Sequence, residues 1–207
     1  MSESVRLENS ESKVSAVSSN DEVGDLLREA QAVTEETLKE FGQLSGQQVN
    51  WKPGADAWSI GQCFDHLITA NETFFPQIDQ VIKGEKRQTF WESLPWLPGF
   101  WGREIVKRAR PGSASKLKSP RAFAPSLSAV DDGIVGKFIA QQSKLIERLE
   151  ATKGMDLERI KITSAVARVV TYSLLDAYRI LVFHERRHFM QAQRVLASDG
   201  FPRSAEN

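Results

Sequence analysis

The chain has three histidines, and two of them stand four residues apart in Phe183-His184-Glu185-Arg186-Arg187-His188-Phe189-Met190-Gln191. On a helix, positions four apart lie one above the other. Ala177, Leu181, His184, His188, Gln191 and Val195 then form one face, apolar except for two imidazoles and an amide. Such a face ordinarily points into a core, where an imidazole without a partner costs free energy. A shared divalent cation would be that partner, because neutral imidazole is the commonest protein metal ligand. His66 borders the apolar stripe of another helical segment and can supply a third nitrogen. The plainer alternative is a pair of packed or surface histidines and an unrelated third.

Three protein ligands leave a coordination position open for water or substrate, as in catalytic rather than closed structural sites. A metal there would lower the pKa of a water or thiol beside it. Gln191, Glu185 and Asp65 are the candidates for assisting such chemistry, by orienting a ligand or contacting the bound water. Gln191 shares the histidine face. Glu185 points about 100° away from His184, which suits a salt bridge or a supporting contact. Cys63, three residues before His66, could approach the metal as thiolate, but a buried, inert cysteine is the simpler expectation. His184 to His188 also spells H-E-x-x-H, the zinc-peptidase pattern. Glu206 makes a poor third ligand, and no strand signal precedes the helix to make a substrate-binding edge, so the peptidase reading is set aside.

Four amphipathic segments must position these residues. Helix 1 is expected over 21–44, with Val23, Leu26, Leu27, Ala30, Val33, Thr34, Thr37, Leu38 and Phe41 as its stripe. A connection follows in which Trp51 and Trp58 plug the end of the core. Helix 2 starts at a Ser59–Gln62 capping box and runs to about Lys83, kinked or split by Pro76. Residues 84–125 are irregular, with Trp91, Trp96 and Trp101 among prolines, a short helix from Trp101 to Ala109, and a locally basic run through Lys116, Lys118 and Arg121. Packing over the end of the bundle is the expectation for these tryptophans; a lid, a dimer contact or a membrane patch are the alternatives. Helix 3 is expected over 126–152. Residues 157–171 are extended or a short helix, and helix 4 covers 172–197. The fold class is all-α, an antiparallel four-helix bundle, with a third connection long enough for a crossover.

The hydrophobic and charged fractions, 41% and 26% of 207 residues, are those of an ordinary globule. One domain over 21–200 is expected, between a disordered leader over 1–20 and a flexible tail over 201–207. The formal net charge of zero gives no field to attract nucleic acid. A single cysteine fits a reducing compartment; with no signal peptide and no spanning segment, a cytoplasmic protein with no membrane contact is expected.

Three stretches resemble one family. Trp58-Ser59-Ile60-Gly61-Gln62-Cys63-Phe64-Asp65-His66-Leu67, with Trp51 and Pro53 ahead of it, is similar to the entry into the second helix of DinB-like metal-binding bundles. Ser119-Pro120-Arg121-Ala122-Phe123-Ala124-Pro125-Ser126 resembles their approach to the third helix, and His184-Glu185-Arg186-Arg187-His188 with Gln191 and Arg194 resembles their fourth-helix signature. The likeness covers about 21–196 apart from the Trp-rich insertion. It implies one divalent metal, zinc or nickel, on His66, His184 and His188. Some members of the family are S-transferases using low-molecular-weight thiols, and others are mycothiol-dependent isomerases. The expected function is thus a metal-dependent S-transferase or hydrolase acting on a small molecule; the alternative is a non-catalytic metal- or ligand-binding stress-response protein. A homodimer through exposed helix faces is left open.

Overall fold

The computed structural model describes residues 3–94, 97–112, 129–165, 167 and 169–203. Trp96, Lys116, Lys118, Arg121, the 119–126 motif, the expected start of helix 3 and Glu206 lie outside them. The elements, in order, are α1 (Glu3–Phe41), α2 (Gly46–Asn50), α3 (Ile60–Glu72), α4 (Phe75–Ile82), α5 (Leu97–Ala109), α6 (Ile134–Ala151), β1 (Lys161–Thr163), β2 (Thr171–Ser173) and α7 (Leu174–Leu196). The protein is an all-α bundle of α1, α3 with α4, α6 and α7, carrying one short antiparallel hairpin.

Local chemistry explains most boundaries. At α3, Ser59 Oγ accepts from Gln62 N–H while Gln62 Oε1 accepts from Ser59 N–H, which satisfies two end groups at once. A second capping box, Ser45 with Gln48, starts α2. Pro76 sits in the first turn of α4, so the expected kink is a break between α3 and α4. At α7, Ser173 Oγ accepts from Asp176 N–H.

Other boundaries differ from expectation. The α1 helix is drawn from Glu3, where the sequence reading begins it at Asp21; 3–20 contains neither Gly nor Pro to stop a helix extending backwards. Helix α6 begins at Ile134, because Asp131 Oδ1 turns back to accept from Gly133 N–H. The 157–171 connector forms the hairpin with 171–173, and β2 leads directly into α7, so a strand does precede the histidine helix. Phe201, placed in the expected tail, is buried and packs edge-on to Trp51 at 5.5 Å.

Contacts along the helices fix their directions. Glu22 pairs with Arg179, Glu29 with Arg186 and Glu40 with Gln193, so α1 and α7 run parallel. Phe64 meets Phe138, Gln141 Nε2 donates to Ile68 O, and Arg148 pairs with Asp79, so α3–α4 and α6 also run parallel. Trp58 meets His188 while Phe74 meets Tyr172, which makes α3 and α7 antiparallel. The order is up, down, down, up. The crossover lies in the second connection, 83–133, rather than the third.

Two apolar clusters fill the bundle. One surrounds Phe41, Phe64, Phe138 and Phe189; the other surrounds Leu26, Leu145, Leu175 and Tyr178. The histidine level lies along α3 and α7.

Candidate metal centre

Helix α3 carries His66 and α7 carries His184 and His188; Trp58, just ahead of the α3 cap, supplies a wall. His66 and His188 are buried and His184 is partly exposed. One nitrogen from each ring lies within 4.8 Å of the other two. His66 Nε2 and His184 Nε2 are 3.1 Å apart. Two imidazole nitrogens sharing a tetrahedral zinc would stand about 3.3 Å apart, so the geometry fits a shared cation. His188 Nδ1 is buried without a hydrogen-bond partner. The Trp58 ring stacks on His188, with centroids 5.5 Å apart and planes 11° from parallel, and meets His66 edge-on.

The same packing favours the neutral form of His184 and His188, the form a metal needs. Burial pushes the His188 pKa down to about 3, the His66 ring adds to that, and the Gln191 amide opposes it. His184 is lowered well below its ordinary value, by burial first and then by His188, His66 and Arg187. The Arg187 and Arg194 charges add smaller contributions that lower His188 further.

The supporting candidates separate. Gln191 is half-buried beside His188. Asp65 is half-buried, and its carboxylate is not among the converging ligand atoms. Cys63 is fully buried in the apolar core, and burial pushes its thiol up to about 12; it too is outside the converging set. Glu185 forms no salt bridge of the kind its position suggested with the described residues. It is completely buried, and Oε1 accepts from Asn71 Nδ2 at 2.6 Å, while Oε2 and the nearby Gln142 amide of α6 are buried without a hydrogen-bond partner. Burial raises its pKa to about 7 against the pull of the Gln142 and Asn71 amides. Its carboxylate is not among the converging ligand atoms.

Sequence reasoning missed Asn71 as the partner of Glu185, while Trp58 was already expected to close the end of the bundle. A signal for a buried polar contact existed. Glu185 lies between Val182 and Phe189 on the apolar stripe of α7. A carboxyl on an apolar stripe calls for a polar partner.

The family model of the DinB superfamily matches residues 26–192. The chain belongs to the DinB superfamily. The matched DinB span takes in all three histidines and the Trp-rich 90–101 insertion. No curated protein and no solved structure gives a match. A DinB bundle with three converging imidazoles fits a metal-binding protein.

Proposed function

We propose that this DinB protein is a metal-dependent enzyme in which His66, His184 and His188 hold one divalent cation, zinc or nickel. The observation that carries this is the convergence of three imidazole nitrogens from two helices within 4.8 Å. When bound, the cation would supply Lewis acidity and favour the deprotonated form of a thiol or water. The reaction class is S-transfer to, or hydrolysis of, a small molecule.

The residues of the chain divide the remaining work. Trp58 excludes water from one side of His188 by stacking on it. Gln191, beside His188, would help to orient its ring once a cation is held. Arg187 and Arg194, close enough to act on His188, would favour an anionic substrate or thiol. Asp65 is not one of the residues that would hold the metal.

Two measurements test the reading. Metal analysis of tag-free protein should find about one equivalent of cation in the wild type and none in His184→Ala. Metal-loaded protein incubated with an electrophile and a panel of thiols should then form adducts that the variant does not. Metal without turnover would leave the non-catalytic binding protein; no metal in either protein would remove the reading altogether.

A further inference from the structure

Residues 83–125 hold ten Lys and Arg against three Asp and Glu, in a chain with 27 of each, so the rest of the molecule is acidic by the same margin. Helix α5 shows how part of that charge is displayed. Gly102, Val106 and Ala109 are buried on one face, which packs on β2 and α7. A side chain at Gly102 would collide with Asp176 Oδ2, at 2.2 Å, so α5 lies flush against the start of α7. On the opposite face Phe100, Arg103 and Lys107 follow one another at helical spacing, all exposed.

The turn ahead of α5 adds two more aromatic rings. Phe90 is 71% exposed and Trp91 40%, and their rings meet edge-on at 5.4 Å. This turn is pinned. The Glu92 carboxylate is buried and accepts from Lys86 Nζ, Thr89 N–H and Thr163 Oγ1 on β1. The turn therefore docks on β1 and α5 on β2, which are neighbours in one hairpin. Aromatic rings held outward by a buried anchor differ from the packing over the bundle end that the sequence suggests.

We propose that this face, Phe90, Trp91 and Phe100 with Arg87, Arg103 and Lys107, docks on an anionic lipid surface. Rings of this kind enter the headgroup level while Lys and Arg meet lipid phosphates, and neither contribution alone holds a protein there. The contact is peripheral, since no described helix is long and apolar enough to cross a membrane. A second copy of the chain is a poorer occupant, because a two-fold contact sets Arg103 and Lys107 near their own copies. Docking would also bring the lipid close to the candidate metal centre: Arg187 Nη1 donates to Arg108 O, and Arg110 lies over the Phe183 ring, next to His184.

Co-sedimentation of the full chain with vesicles tests this, using phosphatidylcholine alone and phosphatidylcholine mixed with phosphatidylglycerol. Binding is expected only to the anionic vesicles and should weaken as salt rises. The double variant Arg103→Gln, Lys107→Gln, at two exposed positions, should bind about 25-fold more weakly, from about fivefold per charge. Phe90→Ser with Trp91→Ser should lower binding at every salt concentration, with an unchanged circular dichroism spectrum. No binding to anionic vesicles overturns the proposal, as does binding that both double variants leave intact. Light scattering that finds a dimer dissolved by Phe90→Ser overturns it too, by giving the face to a second copy.

Discussion

A carboxyl group in an apolar core needs neighbouring groups to satisfy it, and the Asn71 amide does this for Glu185 Oε1. Glu185→Gln keeps a hydrogen-bonding partner for that amide. Glu185→Leu leaves the Asn71 amide buried and unpartnered, at about 1–3 kcal/mol. Urea unfolding should therefore rank the wild type and Glu185→Gln close together and Glu185→Leu well below them; equal loss in both variants would show that packing, not hydrogen bonding, matters there. Both variants should keep their metal, because Glu185 is not in the converging set. Cys63 gives the opposite kind of prediction. With its thiol buried and pushed up to about 12, it should ignore a thiol reagent in the native protein at neutral pH and react at once in denaturant. Rapid labelling of the native chain would put the thiol at the surface or near a cation. The histidines were legible from type and spacing alone. The role of Glu185 was not: its position suggested a salt bridge or a supporting contact, whereas the amide that meets it, Asn71, is 114 positions away on α3.

Elements were legible where a local bond defines them. Ser59 and Gln62 state the start of α3, and Pro76 states its end, in residues adjacent in sequence. The hairpin was less legible, since its two strands are three residues each and are held by what packs on them. One of those supports titrates. Burial alone would raise the Glu92 pKa, but the Lys86 ammonium, the Thr89 N–H and the Thr163 hydroxyl outweigh it and hold the carboxyl below its ordinary value. A depressed carboxyl stabilises the fold fully above its unfolded value, about 4.3, and the stabilisation disappears as pH falls through the folded value. Thermal unfolding of the wild type and Glu92→Gln should accordingly differ most near neutral pH. The two melting curves should draw together as the solution is acidified below about pH 4. A gap that stays constant with pH would mean that Glu92 acts by shape rather than charge. The same variant frees the turn that carries Phe90 and Trp91, so its aromatic fluorescence should shift as well.

Direction is a property of the whole molecule, and amphipathic stripes do not encode it. Each stripe says which face is buried; only long-range pairs such as Glu29 with Arg186 or Asp79 with Arg148 say which way a neighbour runs. The up, down, down, up order joins α3 to α7 by packing around one polar centre. A cation on His66, His184 and His188 would tie residues 118 positions apart, and it would bind the folded chain far better than the unfolded one. Mass action then fixes the size of the effect. Cation at 100 times its dissociation constant stabilises by about 2.7 kcal/mol. For a chain of this length that raises the unfolding midpoint by about 5–10 °C. Calorimetry of chelator-stripped protein with and without added zinc or nickel should show this rise. His66→Ala should melt at nearly the same temperature with and without the metal, because two adjacent ligands on α7 no longer join that helix to α3. A rise that survives His66→Ala would place the cation elsewhere on the protein and separate metal binding from the convergence of the three rings.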